Sequence, residues 1–373
     1  MKIGILGGGQ LARMILESGY RYGFEFHIFS KEKNSPAGQL TGFEITGDWN
    51  DENFLLKFSS DFDIITLENE FIDYHRLKFL EDNGKSVYPS SQIIKLIQDK
   101  LYQKENLKSS GIPVAEFKRA DTVSDVLDFI SGNSYPVVLK SRTMGYDGKG
   151  NFTVNDERQV YEAFEILSGR GKLMCEKFIN FEKEIATQVV RNKSGEIKVY
   201  PVVETIQKDH ICNMVIASDN FSEEIKEKVN SVAEKIVTEL DYTGVMGIEM
   251  FLTDNEITVN ELAPRVHNSG HYTIEGCRTS QFENHIRAIL DYPLGSTEKI
   301  YENVVMINIL GTGNAESMPL NLDKVLKNDN VYVHIYGKKK NAKGRKMGHI
   351  TVINRDLERA LELANLSREM LGI

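Results

Sequence analysis

Short apolar runs separated by amphipathic stretches give the chain its rhythm. Residues 2–6 are apolar and stop at Gly7, Gly8 and Gly9, and 11–21 then place Leu11, Ile15 and Leu16 at helical spacing. Apolar runs at 24–29 and 63–67 predict a second and a third strand. Strands alternating with helices predict βαβ units around a parallel sheet. A helix is predicted from Ser90 or Ser91 to about Leu107. Residues 136–140 form a strand that is apolar up to Lys140, and 174–179 read as a strand leading out of the same unit. Further on, 184–191 and 196–203 flank Asn192-Lys-Ser-Gly195, and 245–252 and 256–262 flank Thr253-Asp-Asn255, which predicts two hairpins. Ser222 is placed to cap a long helix ending before Asp241. Strands near 304–310, 331–336 and 349–353 precede a helix from Asp356. The class predicted is α/β, becoming α+β towards the C-terminus, in three domains spanning 1–98, 99–180 and 181–373. No internal repeat or low-complexity segment is present.

Composition narrows the picture slightly. With 373 residues, 41% hydrophobic and 27% charged, the chain is ordinary for a folded globular protein of two or three domains. A net charge of −9 disfavours general nucleic-acid binding, while leaving room for a local basic site. Cys175, Cys212 and Cys277 have no metal-site or disulfide spacing, which fits free thiols in a reducing cytoplasm. The start reads as a first strand and not a signal peptide, and no stretch is long enough to span a bilayer.

Several motifs suggest chemistry. Gly7-x-Gly9-x-x-Ala12 fits the loose dinucleotide fingerprint, but the second strand ends Ile28-Phe29-Ser30 with no acid for a ribose, which argues against a nicotinamide cofactor. The turn serves either an anion at a helix N-terminus or only a tight reversal. Gly145-Tyr-Asp-Gly-Lys-Gly150 is not a Walker loop. It suits a glycine-rich hairpin closing over phosphates, with Lys149, Lys140 and Lys100 as positive partners, although surface lysines around a turn would read the same. Glu249 and Glu261 lie in apolar strands on the two arms of one hairpin. Facing each other, they would hold Mg2+ through oxygen ligands; the plain alternative is two outward-facing strand acids. Arg265, His267, Asn268 and His271 follow at once and suit an anion site. The stretch 336–349, with Lys338, Arg345 and Lys346, is the most basic part of the chain and suits either a phosphate monoester or solvent.

Taken in order, Gly7-Gly-Gly-Gln-Leu-Ala-Arg-Met14, Asp99-Lys100, Gly145–Gly150, Asn260-Glu-Leu-Ala-Pro-Arg265, His267-Asn-Ser-Gly-His271, Glu275-Gly-Cys-Arg-Thr-Ser-Gln-Phe282 and Gly344-Arg-Lys-Met-Gly-His349 resemble the N5-carboxyaminoimidazole ribonucleotide synthetases, ATP-dependent carboxylating enzymes of purine biosynthesis. The resemblance spans essentially the whole chain. It implies a three-domain ATP-grasp fold with an N-terminal parallel-sheet domain. It places ATP among Lys100, Lys140, Gly145, Tyr146, Asp147, Gly148, Lys149, Gly150, Asn151, Glu176, Lys177, Phe178, Ile179, Glu184, Gln207, Asn260 and Glu261. Mg2+ is expected on Glu249 and Glu261. Catalysis is expected from Tyr146, Asp147, Arg265, His267, Lys338 and Glu70, and ribonucleotide binding from Asn268, Arg345 and Lys346, with Glu68 an alternative to Glu70. The substrates implied are 5-aminoimidazole ribonucleotide and bicarbonate, and the resemblance suggests a homodimer. A formate-using ATP-grasp relative acting on glycinamide ribonucleotide, biotin carboxylase, and a regulator that binds ATP without turnover are the competing readings.

Overall fold

The computed structural model of the chain describes residues 1–62, 64–143, 145, 150–313 and 319–372. Three sheets organise it. The first is all parallel and is built from Lys2–Leu6, Glu25–Ser30, Glu44–Thr46, Ile64–Leu67 and Ser86–Tyr88, with Lys2–Leu6 in the middle. Strand order reverses on either side of that central strand, so the carboxyl ends of Lys2–Leu6 and Ile64–Leu67 border a crevice. The Gly7–Gly9 turn and the Glu68-Asn-Glu70 segment therefore lie side by side.

The second sheet is small and antiparallel, from Phe117–Ala120, Leu173–Lys177, Val137–Ser141 and Asn151–Val154. Helices Val123–Asn133 and Glu157–Ser168 cover it, and it has an apolar core of its own. The third sheet is large and antiparallel, in the order Glu256–Ala263, Gly244–Thr253, Lys183–Arg191, Val203–Lys208, Ile211–Ala217, Asn303–Leu310, Lys346–Asn354 and Val331–Ile335. One core joins it to the first sheet: Ile3, Leu16 and Phe26 pack in the same cluster as Val190, Phe282 and Ile286. The first and third sheets thus form one body, against which the second stands as a separate unit.

Three elements depart from the sequence reading. The helix expected over 91–107 is two helices, Ser91–Gln98 and Lys100–Ser109, because Asp99 takes an extended conformation, caps the second helix by accepting from Leu101 N at 3.0 Å, and pairs with Arg142. The strand expected over 196–203 is broken into Ile197–Val199 and Val203–Lys208, with Pro201, which has no N–H to offer a ladder, between them. A further hairpin, Val203–Lys208 with Ile211–Ala217, turns on Asp209 and His210, both at positive φ.

Candidate active site

The site is built first on the large sheet. Glu249 on Gly244–Thr253 lies directly opposite Glu261 on Glu256–Ala263, so the two acids expected to face each other do. The register slips just past this pair, leaving Asn260 as an extra residue, and such a bulge re-aims side chains at the end of a ladder. Burial, with Glu261 and Glu184 nearby, pushes the Glu249 carboxyl up to about 7. The ammonium of Lys100 pairs with Glu261 at 2.6 Å. Two facing carboxylates, one of them buried and crowded, suit a hard divalent ion that draws its other ligands from water and phosphates. Among the described residues no group of three or more acidic, histidine or cysteine side chains forms a ready metal cage, so phosphate oxygens would complete such a site.

Beyond Glu261 lies a buried charge cluster. Glu176, on Leu173–Lys177, is held by Lys104 at 2.7 Å and by Lys140. Burial opposes its ionisation, but the two ammonium groups outweigh that and hold it at about 2. Lys104 also donates to the Val259 carbonyl at 3.1 Å, which through Glu176 ties the small sheet to the Glu249–Glu261 hairpin. Glu184 is raised by burial and is bonded by Gln207. Lys177, the last strand residue, and Phe178 just beyond it are exposed, followed by the half-buried Ile179. Gly150, at φ +101°, accepts from Ser141 N at 2.7 Å, and Asn151 lies opposite Lys140. Gly145 borders a cavity of about 280 Å³ with Glu70, Lys100, Arg142 and Glu261. Tyr146, Asp147, Gly148 and Lys149 lie outside the described residues.

The other end of the cleft is made by the first domain and the segment after Glu256–Ala263. Arg265 grips Glu70 with both arms of its guanidinium, one at 2.9 Å. Burial raises the Glu70 pKa, yet Arg265 outweighs it and keeps the carboxyl ionised. Glu68 is turned the other way. It accepts from Gly9 N–H, and burial raises its pKa. A Cβ on Gly7, at φ +107°, would fall 2.1 Å from Glu68 Cγ, and one on Gly9 would fall 2.5 Å from Glu68 Oε2. The glycine turn reverses the chain tightly against Glu68. The Gly9 amide is satisfied by the Glu68 carboxyl of the neighbouring strand end.

His267 Nε2 lies 3.6 Å from Glu249 Oε1. Burial first, then Arg265 and Lys346, hold this imidazole well below its ordinary pKa. Its backbone is clamped by Gln281, which accepts from His267 N at 2.9 Å and donates to His267 O at 2.7 Å. The basic loop reaches across to the first domain: Gln39 donates to the Gly337 carbonyl at 2.7 Å, and Lys339 donates to the Lys33 carbonyl at 2.9 Å. Lys338 is buried and donates to the Lys346 carbonyl at 2.6 Å. Arg345 is exposed and donates to the Lys340 carbonyl at 3.0 Å. Asn268, expected at the ribonucleotide, instead pairs its buried amide reciprocally with Asn308 at 3.0 and 2.7 Å. The residues missed from sequence are Lys104, Arg142, Gln188 and Ser269. Only Lys104 left a trace, one helical turn after Lys100.

A parallel-sheet domain, a small antiparallel unit with buried lysines, and a large sheet carrying facing acids define the ATP-grasp class. Residues 1–98 match the ribonucleotide synthetase preATP-grasp domain, 105–282 the ATP-grasp domain and 304–363 the phosphoribosylaminoimidazole carboxylase C-terminal domain. The N5-carboxyaminoimidazole ribonucleotide synthase of Bacillus subtilis is 39% identical, over 94% of this chain and 90% of that protein. The phosphoribosylaminoimidazole carboxylase of Ogataea methanolica is 38% identical over 96% of this chain and 68% of its own length. Other fungal carboxylases are matched over 63% and 65% of their length, so the chain spans about two thirds of such proteins. An Aspergillus clavatus N5-carboxyaminoimidazole synthase structure is similar at a TM-score of 0.90 and 37% identity, covering 99% and 98% of the two chains. The chain belongs to the N5-carboxyaminoimidazole ribonucleotide synthase family. No described helix is long and apolar enough to cross a membrane.

Proposed function

We propose that the chain is an ATP-grasp carbon–nitrogen ligase that carboxylates the exocyclic amine of 5-aminoimidazole ribonucleotide, using ATP and bicarbonate and releasing ADP and phosphate. One observation carries this reading. A facing acid pair suited to a phosphate-bound metal, on two neighbouring strands, and a buried neutral imidazole on the segment that follows lie 3.6 Å apart at Glu249 and His267. Phosphoryl transfer and carboxyl transfer can therefore follow each other without a long migration of the intermediate. The Aspergillus clavatus relative was solved with ADP and 5-aminoimidazole ribonucleotide, which supports both substrates.

In this reading a bicarbonate oxygen attacks the γ-phosphorus of ATP, the bond to the β-phosphate oxygen breaks, and carboxyphosphate and ADP result. Lys100 and Lys140 leave their carboxylate partners to meet phosphate oxygens, and Arg265 faces the charge spreading over the transferring group. Mg2+ on Glu249 and Glu261 would supply further neutralisation there. The amine nitrogen then bonds to the carboxyl carbon, the carbon–oxygen bond to phosphate breaks, and the amine proton passes to the departing phosphate. His267 donates to the carboxyl oxygens. Lys338, Arg345 and Lys346 bind the ribonucleotide phosphate, and Glu70, through Arg265, lines the aminoimidazole pocket. Residues 145–151 close over the nucleotide and exclude water.

Domain limits at 98 and 180, a homodimer and a cytoplasmic location complete the proposal. Cys175, Cys212 and Cys277, all buried and outside any disulfide, support the location. The test is ADP release with Mg-ATP and bicarbonate, with and without 5-aminoimidazole ribonucleotide, beside glycinamide ribonucleotide with formate. Strong stimulation by the aminoimidazole alone is expected. Stimulation only by the glycinamide and formate pair would move the function to the formylating relative, and ATP binding without turnover would make the chain a regulator.

A further inference from the structure

His267 sits on a short chain of neutral hydrogen bonds. Strand Lys183–Arg191 presents Gln188 opposite Gly247, and a Cβ on Gly247 would fall 2.6 Å from His267 Cβ, so glycine there makes room for the ring. Gln188 Nε2 lies 2.8 Å from Ser269 Oγ, and Ser269 Oγ lies 2.8 Å from His267 Nδ1. The Ser269 main-chain N–H points at the same Nδ1, at 3.4 Å. Gln188 and Ser269 are wholly buried, so water does not compete for these groups.

The direction of each bond follows from the donors available. A main-chain N–H only donates. A hydroxyl that receives the Gln188 amide hydrogen has its own single hydrogen free for Nδ1. Two donors converging on Nδ1 make it an acceptor, and the ring hydrogen is then on Nε2, the atom directed at Glu249.

We propose that Gln188 and Ser269 are positioning residues that fix His267 in the Nε2–H tautomer, making it a hydrogen-bond donor at the reacting carboxyl group and not a proton acceptor. This rests on the reading that His267 faces the bicarbonate-derived group. A donor held in place before the reaction stabilises oxygens that gain negative charge, whereas a lone pair at Nε2 would repel them.

The test uses the full chain labelled with 15N-histidine. Two-bond proton–nitrogen correlations, assigned by the signals lost in His267→Gln, report which ring nitrogen carries hydrogen. Wild type is expected to show an unprotonated Nδ1 and a protonated Nε2. Gln188→Glu offers only an acceptor to Ser269, so its hydroxyl turns round. That variant is expected to move the hydrogen to Nδ1 and to lower kcat about 10²-fold, the size of effect seen when one such donor is lost, with the KM for ATP unchanged. Ser269→Ala is expected to lower kcat and Ser269→Thr to restore most of it. A wild-type signal with hydrogen on Nδ1, or full kcat in Gln188→Glu with the tautomer reversed, overturns the proposal. Should Gln188→Glu fail to fold, the wild-type spectrum decides alone. Full turnover by His267→Gln would instead overturn the role given to His267 itself, whatever its tautomer.

Discussion

The two ends of the cleft are held together by different forces. At the nucleotide end the polar groups are ions satisfied by other ions: Lys100 with Glu261, and Lys140 and Lys104 with Glu176. At the other end, beyond the Arg265–Glu70 pair, they are mostly neutral groups joined by hydrogen bonds: Gln188–Ser269–His267, Asn268–Asn308, and Tyr336 with His349. Ion pairs can exchange one partner for another of the same sign, so a lysine can leave a carboxylate for a phosphate with little loss. Neutral amides and imidazoles give direction more than charge. The difference teaches that the nucleotide end is organised to be re-partnered and the other end to stay as it is.

The largest effect is expected at the acid pair proposed to hold Mg2+. Glu261→Gln removes one ligand charge and the Lys100 partner together. Turnover of Mg-ATP should fall by about 10³-fold or more, from the several kcal/mol that a catalytic metal contributes. A steady-state ADP assay reads this, and a loss below tenfold would overturn the metal role proposed for Glu261.

Lys104→Met tests whether the ionic end is also structural. It takes from buried Glu176 a partner that phosphate cannot replace. Breaking a buried pair of this kind costs about 3 kcal/mol, so the midpoint of urea unfolding should drop clearly. An unchanged midpoint would mean that Lys140 alone suffices.

On the neutral side, Asn308→Leu leaves the Asn268 amide buried and unpaired. A loss of about 1–3 kcal/mol in stability is expected, with the KM for ATP unaltered. A change in that KM with no change in stability would contradict the division between the ends.

The smallest effect is a pH dependence. The Glu249 carboxyl titrates near 7 in the folded chain, against 4.5 ordinarily, so the folded state binds its proton more tightly. Its contribution to metal-free stability is therefore complete below pH 4.5 and is lost as pH rises through about 7. The difference in thermal midpoint between wild type and Glu249→Gln should shift against wild type over that window. A flat difference would show that Glu249 is not crowded by Glu261 and Glu184.

Much of this was legible in the sequence, for reasons tied to range. The strand at 2–6 is bounded by glycine, the helix after Ser222 by its cap, and the Glu249–Glu261 hairpin by Thr253-Asp-Asn255, all signals within a few residues. What failed involved weak local signals or distant partners. The turn at Asp209 and His210 lacks the glycine that usually marks two positive φ angles, so its hairpin went unread. Asp99 breaks a helix through Arg142, 43 residues away. Lys104 meets Glu176, Gln188 meets Ser269 and Asn268 meets Asn308 only because the sheets bring them together, and each reads alone as an ordinary polar residue.

The central claim is that both ends of the cleft act in turn on one bicarbonate-derived intermediate. Turnover with Mg-ATP, 5-aminoimidazole ribonucleotide and 18O-labelled bicarbonate in unlabelled water tests this most directly, with the released phosphate analysed by mass. Attack by a bicarbonate oxygen on the γ-phosphorus, followed by cleavage of the carbon–oxygen bond, places one labelled oxygen in each phosphate. Unlabelled phosphate, formed at the same rate as the carboxylated product, would contradict the account.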